Sequence, residues 1–426
     1  YAILLVGEVL CVSRAKKGHT KTAEDYFLAS KALPWWAIGS SLIAANISAE
    51  QFIGMSGSGF AGGLAIASYE FMAALTLIIV GKFFLPIFIK QGIYTIPEFV
   101  EKRFSTNLKT ILAVFWIALF VFVNLTSVLF LGGKAIDTIV GVGDGSMIVP
   151  AIIALAIFAA AYSLYGGLSA VAWTDVIQVA LLVIGGIITT LIALHYVTPD
   201  GGILNGISHI ADAASDKFDM VLSRDNKEFN NLPGIYVLIG GLWVANLYYW
   251  GFNQYIIQRT LAAKSLTEAQ RGIAFAAFLK MLIPFIVVIP GIVAWVMYSE
   301  DLYGARSAFE IAGSTALNND NAYPWLISTF IPVGVKGLVL AALAAAIVSS
   351  LASMLNSTST IFTMDIYKPY INREASQTKL VNVGRLTAGI ALIIAVCLAP
   401  LLGGIDQMFQ YLSLIHISEP TRPLYI

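Results

Sequence analysis

Runs of twenty or more apolar residues recur along almost the whole of this 426-residue chain, and this feature limits its fold more than any other. A run of that length, nearly free of charge, matches the ~30 Å hydrocarbon thickness of a lipid bilayer. Only α-helices and closed β-barrels satisfy their backbone hydrogen bonds in lipid, and these runs are too long and continuous for barrel strands. The sequence therefore predicts an all-α polytopic membrane protein.

The predicted spans are 1–12 (partial), 35–59, 64–89, 108–140, 147–164, 170–197, 233–257, 272–297, 331–362, 380–402 and a last span from about 405. Charged residues make up 12% of the chain and the formal net charge is zero, which argues against a nucleic-acid partner. The segments 13–34, 90–109, 258–271 and 365–379 hold 15 Lys and Arg residues, whereas 198–232 and 299–330 hold four. Because basic loops stay in the cytoplasm, we expect a multi-pass plasma (cell inner) membrane protein with its N-terminus outside.

The two halves of the chain have opposite predicted orientations. The five-helix set in 35–197 starts from the inside and the next five-helix set, from 233, starts from the outside, as an inverted-topology repeat requires. We expect the following division: 1–34, a partial N-terminal helix and cytoplasmic loop; 35–197, the first repeat; 198–232, an extracellular loop; 233–412, the second repeat with an incomplete last helix; 413–426, a tail that is not native sequence.

The first helix of each half carries polar residues at bilayer depth. Asn46, Glu50 and Gln51 lie among small residues, and such a cluster is costly in lipid unless it faces a cavity or a partner. A broken helix frees carbonyl groups for a cation and amides for a solute. In the second half, Asn246 and Asn253 share a helical face with Tyr249 and Trp250, a pattern equally compatible with packing.

Three further features indicate a site within the membrane. Glu70 and Lys280 are intramembrane charges, which are functional by default but also serve as structural partners. Ala346, Ser349 and Ser350 have the spacing i, i+3 and i+4, so a carbonyl and two hydroxyls converge on one helical face. Such hard oxygen ligands, without a carboxylate cage, suit a monovalent cation, although serines in helices often bond back to the preceding turn.

Local motifs in order along the chain resemble the sodium:solute symporter family, and within it the sodium/sugar branch. The motifs are Asp25-Tyr26-Phe27-Leu28-Ala29, Gln51-Phe52-Ile53-Gly54, Thr95-Ile96-Pro97-Glu98-Phe99, Tyr165-Gly166-Gly167-Leu168-Ser169-Ala170-Val171, Trp173-Thr174-Asp175-Val176-Ile177-Gln178, Tyr249-Trp250 and Gln258-Arg259-Thr260-Leu261-Ala262-Ala263-Lys264. The resemblance covers nearly the whole chain. It implies a five-plus-five inverted-repeat transporter fold (LeuT-like) with an extra N-terminal helix.

The resemblance also implies the function and the site residues. We expect a secondary active transporter that couples inward sodium movement to uptake of a galactose- or glucose-like sugar by alternating access. The implied sodium ligands are backbone oxygens of Ala44, Ile47 and Ala346 and the hydroxyls of Ser349 and Ser350, with Asp175 on the sodium exit route. The implied sugar contacts are Asn46, Gln51, Glu70, Asn246, Tyr249 and Lys280. The implied gate residues are Met55, Tyr69, Trp250 and Phe409.

Two positions depart from the family pattern. Ala73 stands where a sugar-contacting serine is expected, and Ser413 stands where a glutamine belongs. The pattern stops at Ser413, and the following segment contains Pro420 and Pro423 within an expected helix. It resembles a translated adaptor or assembly join, so we expect that the last helices of the family are missing from this chain.

Three other functions are compatible with parts of the sequence. The first alternative is a symporter of the same family for another solute: inositol, sialic acid, an amino acid or pantothenate. The second is a sensor or a leak channel with the same fold. The third is an intramembrane protease, because Gly54-Met55-Ser56-Gly57 resembles a serine motif. A serine nucleophile needs a histidine base at similar depth, and the four histidines lie in loops, at a helix end or in the tail. We therefore expect no enzymatic activity; homo-oligomer formation stays open.

Overall fold

The computed structural model describes residues 21–47, 50–140, 145–230, 232, 234–311 and 317–402, and most of them are helical. In chain order the main helices are α1 (Trp35–Asn46), α2 (50–62), α3 (68–91), α4 (Ile96–Arg103), α5 (106–140), α6 (Ile148–Gly166), α7 (Leu168–Tyr196), α8 (Ile203–Ala213), α9 (241–252), α10 (Gln254–Leu261), α11 (Leu266–Ser299), α12 (Ala322–Phe330), α13 (Val333–Ile371) and α14 (Gln377–Leu402). Short helices Ala23–Leu28, Ile235–Ile239 and Ala305–Phe309 lie in the connections. The described residues contain isolated β-bridges but no strand.

Seven helical stretches in the described part of the chain are long and apolar enough to cross a membrane. They are Gln51–Gln91, Thr106–Asp137, Ile148–Gly166, Leu168–Tyr196, Leu266–Ser299, Val333–Ile371 and Gln377–Leu402. Each of these stretches covers all or nearly all of one predicted span, which confirms the all-α polytopic class. The predicted spans 35–59 and 233–257 do not form continuous helices because each is interrupted. The spans 1–12 and from 405, with the tail 413–426, lie outside the described residues.

Four of the main helices begin with a hydroxyl cap. Thr95, Ser105, Ser265 and Ser376 precede α4, α5, α11 and α14, and each side chain accepts a backbone N–H three residues later. Such caps satisfy donors that the first turn of a helix leaves unpaired. All four caps fall in three of the four basic segments that the charge pattern assigns to one membrane face.

Helix α13 is the centre of the bundle and α14 lies at its edge. In the most apolar window of α13, 89% of the residues are buried, whereas the corresponding share for α14 is 28%. The buried residues of α13 include a run of hydroxyl side chains from Ser349 to Thr360. A polar run at the most buried place in the bundle needs partners from neighbouring helices.

The connection between α7 and α9 is held against the ends of two helices. Lys217 donates to the carbonyl oxygen of Ala61, near the end of α2, at 2.5 Å. Its ammonium nitrogen also lies 4.7 Å from the ring centroid of Trp295 in α11. Burial lowers the pKa of Lys217. This connection therefore covers one end of α2, the helix that follows the first interruption.

Glycine allows α2 and α11 to approach closely. A Cβ atom on Gly291 would lie 2.1 Å from the carbonyl oxygen of Ser56 and 2.9 Å from the backbone nitrogen of Phe60. Backbone atoms cannot yield as a flexible side chain can. Close approach at small residues is a common packing device between membrane helices.

We expect Gly291→Ala to lower the thermal stability of the protein in detergent, because α2 and α11 must separate to admit the methyl group. Overpacking of this kind costs about 1–3 kcal/mol. The matched control is Gly389→Ala in α14, where an added Cβ meets nothing within 4 Å. That variant should be neutral or more stable, since alanine favours a helix over glycine. Equal melting temperatures for the two variants would contradict the packing argument.

Candidate functional site

The first interruption lies between α1 and α2. Helix α1 ends at Asn46, Ile47 has an extended backbone with ψ 107°, and helical structure resumes at Glu50. The last carbonyl groups of a helix have no partner within it, and Ala44 belongs to that last turn. Ala44 and Ile47 are both buried. The end of α1 therefore offers backbone oxygens in the interior of the bundle.

Two serine hydroxyls of α13 face the neighbouring helices α1 and α7. The hydroxyl of Ser350 donates to the carbonyl oxygen of Ala45 at 3.0 Å. The hydroxyl of Ser349 donates to Oδ1 of Asp175 at 2.5 Å. Ala346 is buried one turn earlier on the same helix. The structure thus brings Ser350 to the end of α1, at the carbonyl group of Ala45, and brings Ser349 to Asp175.

The chemistry of this donor set fits a small monovalent cation. It consists of hydroxyl and backbone carbonyl oxygens, with the carboxylate of Asp175 adjoining Ser349. Across the residues that the structure describes, no three His, Cys, Asp or Glu side chains meet as they do in a metal centre. Zinc, calcium and magnesium sites draw on such groups, whereas the atoms here are hard, mostly neutral oxygens.

Asp175 is the centre of a buried polar network that joins four helices. Its carboxylate accepts a hydrogen bond from Ser41 of α1 and lies 3.5 Å from a guanidinium nitrogen of Arg259 in α10. Arg259 donates to Ser41 at 2.6 Å and also to Ser353 of α13 and to the carbonyl oxygen of Tyr255. Asp175 and Arg259 are both fully buried. Each therefore compensates the charge of the other, which would be costly to bury unpaired.

The position of Arg259 corrects one part of the charge count. Arg259 is one of the three basic residues in the predicted cytoplasmic segment 258–271. In the structure, α10 continues to Leu261 and Arg259 is buried in the interior of the bundle. The prediction that it is a loop charge is wrong. The predicted orientation then depends on the other basic residues of the four segments.

The second interruption lies at Asn253. Helix α9 widens into a π-helical turn over Tyr248–Phe252, and Asn253 has an extended backbone with ψ 124° before α10 begins. A further break occurs at Gly240, with φ −105° and ψ −118°. The first helix of each half is therefore interrupted, as the polar residues predicted.

Glu70 of α3 and Lys280 of α11 form a buried ion pair. The Lys280 ammonium nitrogen lies 2.6 Å from Oε2 of Glu70, and the two side chains are 1% and 2% exposed. The same ammonium group lies 5.2 Å from the ring centroid of Trp250. A cation over an indole face is stabilised by the negative potential of the ring. Two predicted sugar contacts and one predicted gate residue thus form one cluster.

Asn46 and Tyr249 connect the two interruptions. The side-chain amide nitrogen of Asn46 donates to the Tyr249 hydroxyl at 2.9 Å, and the Tyr255 hydroxyl donates to the same oxygen at 2.6 Å. The rings of Tyr249 and Trp250 meet edge to face at 5.1 Å. The adjacent residues Tyr249 and Trp250 therefore contact different clusters: Tyr249 meets the end of α1, and Trp250 meets the Glu70–Lys280 pair.

Several amides near the interruptions retain unused hydrogen-bonding capacity. The side-chain oxygens of Asn46 and Gln51 are buried without a partner, whereas the amide nitrogen of Asn246 donates to Leu242 of its own helix at 3.0 Å. Buried polar atoms in proteins are almost always paired. Asn46 and Gln51 can therefore accept hydrogen bonds from a hydroxylated solute.

The predicted gate residues are only partly described. Met55 is buried in α2, and Tyr69 is half-buried in α3 beside Glu70. Phe409 lies outside the described residues, as does Ser413. Ala73 is buried one turn after Glu70, so the expected serine hydroxyl is absent beside the ion pair.

Three polar residues, Gln258, Arg259 and Asn253, stand out in the sequence but have no predicted role in the site. Gln258 donates to the carbonyl oxygen of Phe27 at 2.7 Å and to Thr360 at 2.9 Å, and it accepts from Ser357 at 2.9 Å. The sequence feature that could have identified Gln258 and Arg259 as functional is their place in the Gln258–Lys264 motif. Nothing local distinguishes a buried arginine at a helix end from a loop arginine.

The family model described as "Sodium:solute symporter family" matches residues 26–418. A protein named "Sodium/glucose cotransporter" from Vibrio parahaemolyticus is 65% identical over 97% of this chain and 76% of its own length. A human "Sodium/myo-inositol cotransporter" is 32% identical over 96% of this chain, which spans 60% of that protein.

Among solved structures, a Na+-coupled sialic acid symporter in a substrate-bound outward-open state has a similar fold. Its TM-score is 0.78 with 26% identity, and the match covers 98% of this chain and 84% of the other. This likeness agrees with the five-plus-five inverted-repeat fold that the two interrupted helices indicate. The matched family model covers most of the chain, and the chain therefore belongs to the sodium:solute symporter family.

Proposed function

We propose that this protein couples inward sodium movement to uptake of a galactose- or glucose-like sugar by alternating access. The observation that carries the proposal is the pair of neighbouring polar clusters at the helix interruptions. Oxygen atoms gather around Ser350 and the end of α1, and mixed donors and acceptors gather around Glu70 and Tyr249. The 65% identity to a protein named as a sodium/glucose cotransporter supports a sugar as the solute.

The solute cluster has the chemistry that a sugar requires. Sugar hydroxyls both donate and accept, and the cluster combines carboxylate and amide acceptors with ammonium and amide donors. The aromatic face of Tyr249 can stack on the apolar face of a pyranose ring. We assign sugar contacts to Asn46, Gln51, Glu70, Asn246, Tyr249 and Lys280, and gating to Met55, Tyr69, Trp250 and Phe409.

Sodium, as the transported ion, would be held by backbone oxygens of Ala44, Ile47 and Ala346 and by the hydroxyls of Ser349 and Ser350. These residues join the interrupted first helix to α13, so a bound cation favours the arrangement in which the two helices stay together. Asn46 follows Ala44 by two residues and contacts Tyr249, which connects the ion cluster to the solute cluster. Because coupling is reciprocal, sodium should tighten sugar binding and sugar should tighten sodium binding. Asp175 then lies on the route by which sodium leaves.

The membrane orientation is part of the same proposal. The basic segments support a cytoplasmic position for α4, the α10–α11 connection and the α13–α14 connection, with the N-terminus outside. The division into repeats 35–197 and 233–412 follows from that orientation. Cysteine labelling with a membrane-impermeant reagent at exposed Ser223 and Arg373, in right-side-out and inverted vesicles, tests it.

The test of function is uptake of labelled galactose or glucose by proteoliposomes. We expect accumulation with an inward sodium gradient and none with an equal choline gradient. Uptake that is indifferent to sodium would reject the symporter and favour a leak pathway. Binding without accumulation under any gradient would favour a sensor.

Gln51→Ala should raise the KM for sugar about tenfold or more, because loss of one hydrogen bond of about 1.4 kcal/mol changes affinity tenfold. The sodium concentration for half-maximal uptake, measured at saturating sugar, should change much less. Asn205→Ala is the control, since that exposed amide bonds only to the carbonyl oxygen of Gly201. An unchanged KM in Gln51→Ala would remove Gln51 from the sugar site.

A second candidate solute is myo-inositol, because several similar proteins are named sodium/myo-inositol cotransporters. Inositol is a six-membered carbon ring with a hydroxyl on every carbon, so it offers adjacent hydroxyl groups as a pyranose does but lacks the ring oxygen. Competition of unlabelled inositol against uptake of labelled galactose distinguishes the two solutes. If inositol inhibits at concentrations well below those at which unlabelled galactose inhibits, inositol is the preferred solute.

A further inference from the structure

Asn253 is a buried amide that the fold leaves unsatisfied. Its side chain is fully buried, and both its oxygen and its nitrogen lack a hydrogen-bond partner. It occupies the second interruption, where its backbone carbonyl accepts N–H groups of Ile256 and Ile257 at 3.2 and 3.0 Å. Asparagine at such a position usually caps the following helix with its side chain, but Asn253 does not.

The neighbouring residue shows that the fold can satisfy an amide at this place. Gln254 is equally buried, and both of its polar atoms are used. Its oxygen accepts the backbone N–H of Ile96 at 2.9 Å, and its nitrogen donates to the carbonyl oxygen of Tyr94 at 3.0 Å. Burying an unpaired amide costs free energy in the folded state, so Asn253 has no structural reason to be an amide.

The place of Asn253 in the chain relates it to the solute cluster. It lies between Tyr249 and Tyr255, whose hydroxyls hydrogen-bond to each other, and Tyr249 also binds Asn46. Along α9 and the interruption it follows Tyr249 by four residues, toward the Leu261 end of α10. An amide presents a donor and an acceptor side by side, which matches two adjacent hydroxyl groups of a sugar.

We propose that Asn253 is a further solute-binding residue, which takes hydroxyl groups of the sugar on the Leu261 side of Tyr249. This inference rests on the proposed sugar transport. Its function is to replace the hydrogen bonds that the sugar loses when it passes Tyr249. The amide is then unpaired only while the sugar is elsewhere.

The experiment compares Asn253→Leu with Gln254→Leu in the purified full chain. Leucine keeps the approximate size of asparagine and removes its hydrogen-bonding groups. Thermal unfolding in detergent with sodium is measured with and without galactose, and uptake is measured in proteoliposomes. We expect Asn253→Leu to melt at or above the wild-type temperature without sugar, to lose most of the galactose-induced rise, and to show at least a tenfold higher KM.

Gln254→Leu should melt well below wild type without sugar, because it leaves two backbone groups unpaired. A similar fall in Asn253→Leu would show a structural role and overturn the inference. A wild-type galactose response in Asn253→Leu would also overturn it, since the amide would then make no contact with the sugar. Asn253→Ser, which retains a donor and an acceptor, should recover part of the response. If the wild-type protein itself shows no sodium-dependent galactose response, the proposed function fails, and that result is distinct from a failure of Asn253 alone.

Discussion

Lys280→Met is expected to destabilise the protein by about 3–5 kcal/mol, because it leaves the Glu70 carboxylate buried without its cation. The pair is 2.6 Å apart and almost fully buried, so solvent cannot replace the lost partner. The substitution also removes the cation that lies over Trp250. Thermal unfolding in detergent and the yield of monodisperse protein measure this loss.

The double variant Glu70→Gln with Lys280→Met separates folding from binding. Replacing both members of a buried ion pair by neutral groups of similar size is often neutral for stability. The double variant should therefore regain most of the wild-type melting temperature while sodium-dependent sugar uptake stays near background. If the double variant regained stability and also bound sugar with wild-type affinity, the Glu70–Lys280 pair would have only a structural role. The two single variants complete a cycle that measures their coupling.

Ser350→Ala is expected to raise the sodium concentration for half-maximal uptake by about tenfold or more. The substitution removes a hydroxyl that lies at the end of α1, within hydrogen-bond distance of the Ala45 carbonyl oxygen. One lost oxygen ligand of about 1.4 kcal/mol changes the affinity tenfold. Ser349→Ala should have a similar effect and also disturb Asp175, to which Ser349 donates.

The matched control for both serine variants is Ser359→Ala on the same helix. Ser359 is equally buried, but its hydroxyl bonds back to the carbonyl oxygen of Asn356 at 2.8 Å. Such a local bond contributes little to an ion site. Uptake measured against sodium concentration at saturating sugar should leave Ser359→Ala at the wild-type value. If Ser350→Ala matched Ser359→Ala, the cation site would have to lie elsewhere.

The sequence predicted the class of fold and the position of the first interruption, because lipid imposes strong and local constraints. Apolar length alone identifies the spans. Asn46 and Gln51 are visible as polar residues where lipid would exclude them, and the break between α1 and α2 falls beside them.

The partners of buried charges could not be predicted in the same way. Glu70 and Lys280 are 210 positions apart, and no local pattern tells which cation a buried carboxylate will meet. Arg259 was misplaced for a related reason, since counting basic residues in a segment assumes that all of them reach water. Asn253 was visible as a polar residue, but its lack of a partner is a property of the packed structure.

The network around Asp175 has a mechanical consequence for transport. Ser41 belongs to the first interrupted helix and Arg259 to the second, and both bind one carboxylate on a continuous helix. Neither interrupted helix can tilt away without leaving a buried charge partly uncompensated. The two must therefore move in concert or exchange partners on the way, so this network adds an electrostatic cost to any conformational change that separates them.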